Sequence, residues 1–274
     1  GDGNRYELVG QDNYYVRSLG PNDPEQDLLP EMHLGRLPIG SVTETEILMN
    51  KLVAYDTYSP NDAWRNRGFI TSDDKYSTPI SDGTAYSYSR SDCDFEAGAD
   101  SVQGMFAARG CYADFELDDL RLGDCLNDSL VAQSLGRLVV PRGECPVLPF
   151  HRANLAATTS YVESNCTPQW VDQSSRGHLF QIYSGHGNRF VMSTESWVDY
   201  FNGRGTSDRL TNFGKPFVFF GIACHLNEFE HSDEATSKHA LGEAMLFLPN
   251  AGAIASMAST GFEWLITNFW VEVY

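Results

Sequence analysis

Apolar positions in this chain come in short runs closed by polar or turn-forming residues. Leu179-Phe180-Gln181-Ile182-Tyr183-Ser184 leads into Gly185-His186-Gly187, and Phe217-Val218-Phe219-Phe220-Gly221-Ile222-Ala223 leads into Cys224. Runs of this length, rich in aromatic and β-branched residues, read as buried strands of a parallel sheet. Gly68-Phe69-Ile70-Thr71, ending in Ser72-Asp73-Asp74, predicts another, and Gly252 to Met257 a further strand of small residues. Met32 to Leu37 predicts a short strand closed by Pro38 and Gly40. Helical spacing appears in Ile47, Leu48, Lys51, Leu52 and Tyr55, through about Tyr58. Ser41 or Thr43 suits its N-cap, and Glu44 and Glu46 its first turn. A second helix is expected from Ser237 to about Phe247, with Leu241, Ala244, Met245 and Leu248 on one face and Pro249-Asn250 at its end. Strand, helix and strand in this order predict βαβ crossovers and a parallel sheet.

In open α/β sheets the functional groups gather at the carboxyl ends of the strands. One strand would therefore bring the imidazole of His186, and the next the thiol of Cys224, to the same edge. A thiolate is a nucleophile, and a nearby imidazole can hold its proton and later protonate an amine leaving group. Gly185 and Gly187 let the backbone approach a substrate closely. The N–H groups of Gly187 and Cys224 are candidate oxyanion donors, each worth about 3 kcal/mol in other enzymes. Asp73 and Asp74 fall at a third strand end, where a carboxylate could orient the histidine, bind a metal or line a substrate pocket. The plainer alternatives are a solvated turn or helix N-cap for the aspartates, a core thiol for Cys224 and a loop position for His186.

The stretch from 75 to 177 is less regular, being rich in Ser, Asp, Gly and Tyr, with helical hints near Ser101 to Arg109 and Leu130 to Leu138. Asp92, Asp94 and Glu96 alternate like part of a calcium loop, without the glycine an EF-hand needs at its sixth position. Asn127-Asp128-Ser129 and Asn165-Cys166-Thr167 match a glycosylation pattern that arises often by chance. His225 and His231 stand among acids, off helix-face spacing, as in a solvated loop. No internal repeat is visible.

Charge and length then narrow the field. With 274 residues, 42% apolar and 20% charged, the chain can bury a full core. It has 37 acidic and 19 basic residues, a formal charge of −18, which repels phosphate and argues against a nucleic-acid partner. No run reaches the roughly 18 to 20 apolar residues needed for a transmembrane segment. The chain opens on Gly-Asp-Gly with no signal peptide, as expected of a mature piece of a longer precursor. Five of its six cysteines, Cys93, Cys111, Cys125, Cys145 and Cys166, lie apart from Cys224 and suggest local disulfides in an exported protein, with free buried thiols as the alternative. With Cys224 reserved for chemistry, at least one of the five stays unpaired within the chain. No CxxC occurs, which argues against a zinc ribbon.

An apolar run ending in His-Gly, followed by one ending in Ala-Cys, resembles the caspase–gingipain–legumain group of cysteine peptidases. Flanking blocks narrow this to the gingipain family. Leu179 to Gly187 is similar to its histidine strand, and Leu210 to Cys224 to its cysteine strand with the preceding loop. Ser237 to Leu246 and Ala251 to Thr260 resemble the helix and strand that follow. Upstream, Asp12-Asn13-Tyr14-Tyr15 and Leu34 to Ile39 match another family stretch, so the likeness covers 10–74 and 178–262. It implies a caspase-like three-layer α/β/α sandwich with a mostly parallel sheet over 1–274, lacking the family's first strands and carrying a cysteine-rich insertion over 75–177.

The resemblance also implies amide-bond cleavage of a protein or peptide substrate, with Cys224 as nucleophile, His186 as acid/base, and Asp73 or Asp74 near the histidine. Gly185 and His225 are then expected beside the substrate. No cofactor is needed for the chemistry, and a structural Ca²⁺ is in keeping with the family. An exported bacterial protein is implied, at the cell surface, outside the cell or in the periplasm. Other chains or domains of the same precursor could supply the missing strands. The same pair would serve a sortase-like transpeptidase, and the missing strands leave room for a catalytically silent binding or assembly module.

Overall fold

The computed structural model describes residues 34–57, 62–79, 85–88, 92–108, 115–145, 151–200, 205–229 and 239–262. Along the chain, helix α1 (Val42–Thr57) precedes strand β1 (Arg67–Ser72). Strands β2 (Tyr76–Pro79) and β3 (Ala85–Tyr88), helix α2 (Cys93–Ala108) and strand β4 (Glu116–Arg121) follow. Then come α3 (Leu122–Leu126), α4 (Ser129–Ser134), β5 (Arg152–Asn154), α5 (Leu155–Tyr161), a π-turn (Val162–Cys166) and α6 (Thr167–Ser175). Strand β6 (Phe180–Ser184) leads to the two-residue strands β7 (Gly187–Asn188), β8 (Val191–Met192) and β9 (Val198–Asp199). Strand β10 (Phe217–Ile222), helix α7 (Leu241–Leu246) and strand β11 (Ala253–Ala258) complete the described elements.

The central sheet runs β11-β10-β6-β1-β4, and each neighbouring pair is parallel. Its inner strands are apolar on both faces because both faces are covered. On β1, Phe69 enters a core with Trp170, Leu122 and Tyr183, whereas its neighbour Ile70 packs the other way against Ala99 and Val102 of α2. Phe217 and Phe219 of β10 and Leu241 and Met245 of α7 extend the first core. Two cores on opposite faces of one sheet make the three layers the sequence predicts. Strands β2, β3 and β5 form a separate antiparallel sheet, and β7, β8 and β9 another, just beyond β6.

Several expectations change. Residues 34–40 form no strand, and the rest of Met32 to Leu37 lies outside the described residues, as do Asp12 to Tyr15 and His231. Asp94 and Glu96 sit in the first turn of α2, so a calcium loop does not form there. Residues 116–121, from the stretch read as an insertion, supply the outer strand β4 of the central sheet. Helix α1 starts beside the expected cap, with the Ser41 hydroxyl accepting the Glu44 N–H at 3.2 Å.

Two disulfides, Cys93–Cys145 and Cys125–Cys166, close spans of 52 and 41 residues. Loops of that size lower the entropy of the unfolded chain by roughly 4 kcal/mol each. Cys224 is the one cysteine outside a disulfide among the described residues, and Cys111 lies outside them.

Candidate active site

The parallel register of β6 and β10 assembles the site. Ile222 pairs with Ser184, so the residues two beyond each strand end, Cys224 and His186, emerge side by side at the carboxyl edge. The Gly185 N–H donates to the Ile222 carbonyl at 3.2 Å and carries the pairing past the strands. A Cβ on Gly187 would stand 3.0 Å from both the Ala223 Cβ and the Cys224 carbonyl oxygen. A Cβ on Gly185 would stand 2.5 Å from the Asp73 Cβ and closer still to the Tyr183 hydroxyl. Gly187 thus lets the histidine and cysteine loops approach each other, and Gly185 lets the histidine loop close on Asp73 and Tyr183.

The main chain of His186 is fixed from below. Its N–H donates to Asp73 Oδ2 at 3.0 Å, and its carbonyl accepts from the Tyr183 hydroxyl at 2.7 Å. Asp73 Oδ1 accepts the Asp74 N–H, and Asp74 Oδ1 accepts the Tyr76 N–H. Of the two aspartates expected near the histidine, Asp73 grips its backbone rather than its ring, and Asp74 holds the Tyr76 N–H and Arg137. The imidazole has a different partner: Asp92, 2% exposed, places Oδ2 3.2 Å from His186 Nε2. Phe95, one helical turn on, meets the ring edge-on at 5.1 Å between centroids. With Nε2 facing a carboxylate, Nδ1 is the ring nitrogen left for a thiol.

Beneath this rim lies a buried acid cluster. Asp73, Asp74 and Glu195 bring carboxylate oxygens within 4.8 Å of one another, and all three are buried. Arg137 pairs with Asp74, lies 3.8 Å from Glu195 and stacks on the Tyr76 ring at 4.0 Å. Three carboxylates against one guanidinium would leave two negative charges in a dry interior, which is costly, so protons are retained. Burial, reinforced by Asp74 and opposed by Arg137, pushes Glu195 up to about 8. Burial, then repulsion from Glu195 and Asp74, raises Asp73 well above the usual carboxylate range. Tyr183 is likewise raised by burial and by Asp73. Three converging carboxylates are also the donor set of a hard cation. Asp73, Asp74 and Glu195 are the residues that could hold one, although Arg137 already neutralises one side.

On the other side of Cys224 the chain turns sharply. His225 has φ of 60° and donates its N–H to the Gly261 carbonyl at 2.9 Å. Its Nδ1 lies 2.8 Å from Glu228, and its ring meets Phe262 edge-on at 4.5 Å. Phe262 is 71% exposed, so the residue after Cys224 in the chain belongs to an exposed aromatic pair. His225, expected to meet substrate, is one half of that pair.

Asp92 at the ring, Arg137, Glu195 and Phe262 were not singled out for these positions from sequence. Asp92 carries the nearest local signal, an aspartate directly before a helix whose first turn is acidic. Its partner His186 is found only through the fold.

A model of peptidase family C25 matches residues 4–273. The chain belongs to that family. Its fold matches the Arg-specific cysteine proteinase gingipain R, with a TM-score of 0.62 and 13% identity over 96% of this chain and 47% of that one. The complex of Porphyromonas gingivalis RgpB pro- and mature domains matches equally, at 0.62 and 13%, over 96% of this chain and 48% of that one. A further structure described only as a protease gives 0.56 and 15%, covering 97% and 43%. The chain spans about half the length of these solved structures. No curated protein matches it. As in the gingipain fold, a mostly parallel sheet carries helices on both faces. Among the described residues of this C25 chain, no helix is long and apolar enough to cross a membrane.

Proposed function

We propose that this chain is a cysteine endopeptidase that cleaves protein or peptide substrates through an acyl-enzyme on Cys224. The supporting observation is the register that brings Cys224 and His186 to neighbouring positions, with Asp92 at the far nitrogen of the imidazole. Asp92 stabilises the imidazolium and fixes the ring so that Nδ1 serves the thiol. The thiolate attacks the scissile carbonyl, His186 protonates the departing amine, and water then releases the acyl group with His186 as base. The N–H groups of Gly187 and Cys224 are the oxyanion donors in this reading. His225 and Phe262 form one wall for the substrate, and Gly185 allows close approach at the other.

No step needs a cofactor. A calcium ion held by Asp73, Asp74 and Glu195 would neutralise the cluster under His186 and act structurally. Family membership supports an exported bacterial protein, and the acidic surface suits solubility outside the cell. Other domains or chains of the same precursor are its natural partners, since the chain spans about half of its structural relatives.

The test is digestion of an unfolded protein substrate with a monothiol that keeps Cys224 reduced and leaves the two disulfides closed, with new termini mapped by mass spectrometry. The wild-type protein is expected to generate defined termini and Cys224→Ala none. Equal cleavage by both proteins would refute the proposal.

A further inference from the structure

Asp92 lies in the chain directly before Cys93, the first residue of α2, and Cys93 is bonded to Cys145. Resting on the Cys224–His186–Asp92 reading above, we propose that the Cys93–Cys145 disulfide is a positioning element of the catalytic centre. The enzyme then requires one sulfur pair oxidised while its nucleophile is reduced.

The segment to which Cys93 is tied is itself well anchored. Lys75 Nζ donates to the carbonyls of Pro141 at 2.8 Å and Glu144 at 2.6 Å, on either side of the turn that ends at Cys145. Lys75 also pairs with Glu96, in the first turn of α2, at 2.9 Å. Both half-cystines pack against a small core of Tyr76, Val140 and Ala153. Tyr76 donates its N–H to Asp74, and Asp74 follows Asp73, which holds the His186 N–H. The disulfide therefore joins two pieces of one frame: the histidine's backbone is fixed through Asp73, and its ring partner Asp92 through Cys93. Ring orientation is sensitive to small displacements, because a catalytic group misplaced by about 1 Å can lose most of its effect on rate.

Cys93 and Cys145 are both partly exposed, so a small dithiol can reach them. Its two thiols give two electrons and two protons to the disulfide. The S–S bond breaks, two cysteine thiols form, and the dithiol closes to its own cyclic disulfide. Reduction would release Asp92 from the anchored turn. Conversely, a small-molecule disulfide would exchange with the Cys224 thiolate: its S–S bond breaks, a mixed disulfide forms on Cys224, one small thiolate leaves, and the nucleophile is removed. Activity is then confined to a band of redox potential. The second disulfide supplies an internal control, since Cys125–Cys166 ties α3 to the π-turn within the large core.

The experiment measures the rate of Cys224 alkylation by iodoacetamide against pH, together with kcat and KM on a cleaved peptide. It compares wild type, Asp92→Asn, Cys93→Ser/Cys145→Ser, the triple variant and Cys125→Ser/Cys166→Ser. The Cys93/Cys145 double variant is expected to lower kcat by about tenfold, with KM nearly unchanged, and to move the alkylation profile to higher pH. Asp92→Asn should do the same, and the triple variant should add nothing further. The Cys125/Cys166 variant should lose thermal stability and keep the wild-type profile. A wild-type profile in the Cys93/Cys145 variant, or losses that multiply in the triple variant, would overturn the proposal. If the double variant does not fold, wild type is titrated with dithiol while the opening of each disulfide is followed by mass. Activity that falls as Cys93–Cys145 opens supports the proposal, and activity that ignores the opening refutes it. Failure of the underlying reading looks different: wild-type alkylation at Cys224 would then be indifferent to His186→Ala.

Discussion

The carboxyl edge of the sheet holds two groups of polar residues with opposite character. The outer one, Cys224, His186 and Asp92, is open on its upper side: the imidazole is 40% exposed while its carboxylate partner is buried. The inner one, Asp73, Asp74, Glu195, Arg137 and Tyr183, is shut away from water and bonded mostly to backbone or to itself. Both contain carboxylates close to the same histidine. What separates them is which part of the histidine they touch. A carboxylate on the ring affects proton transfer, whereas a carboxylate on the main-chain N–H affects where the loop sits. Proximity of an acid to a histidine is therefore not a role. Mutations should divide along the same line, with rate effects above and stability effects below.

The largest effect belongs to the outer group. His186→Ala should lower kcat/KM by roughly a thousandfold with little change in thermal midpoint, because the ring is partly exposed and its removal leaves few packing contacts unmade. A stability loss as large as the rate loss would erase the division. Asp92→Asn should lower kcat by roughly 10- to 100-fold and shift the pH–rate profile while leaving KM nearly constant. An unchanged profile would move Asp92 out of the chemistry.

Asp73→Ala probes the inner group. It strips the His186 and Asp74 N–H groups of a buried acceptor, and stability should fall by about 2 kcal/mol, read from urea unfolding. Labelling of Cys224 in the fraction that remains folded should stay within a few-fold of wild type. The smallest effect is expected at Glu195. Its carboxyl is raised from 4.5 to about 8, so the folded state binds a proton that the unfolded state releases. Stability from this group is full below about 4.5 and is lost as pH rises towards 8. Glu195→Gln mimics the protonated acid. It should match wild type near pH 4.5 and gain a few degrees in thermal midpoint at pH 8.5. A midpoint that is lower at both pH values would mean that the carboxylate, not the acid, is the folded form.

The same division explains what could be read from sequence. Strands β1, β6, β10 and β11 were legible because strands covered on both faces must be apolar, and Asp73, His186 and Cys224 follow where three of those runs stop. Strand β4 was not. As Glu-Leu-Asp-Asp-Leu-Arg it looks like a solvated turn, yet Asp118 pairs with Arg67 and His178, and Asp119 with Arg121 and Arg142. Arg121 belongs to the same strand, but Arg67, His178 and Arg142 lie far away in the chain, and no local pattern records those partners. Asp92 and Glu195 were hidden for the same reason. Asp92 is one of three alternating acids and Glu195 a single acid in a polar stretch, and each acquires its meaning from a partner brought in by the sheet: His186 for one, Arg137 and Asp74 for the other. The glycines around His186 were read as letting a substrate come close, whereas in the fold Gly187 meets the cysteine loop and Gly185 meets Asp73 and Tyr183.

The central claim is that His186 activates Cys224. Its most direct test treats the protein with an electrophilic peptide probe in the presence of calcium and of a monothiol that keeps Cys224 reduced and the two disulfides closed, and maps the label by mass spectrometry. The structure predicts stoichiometric labelling at Cys224 that is lost in His186→Ala. Labelling that is absent from Cys224, or that persists undiminished without the imidazole, would contradict it.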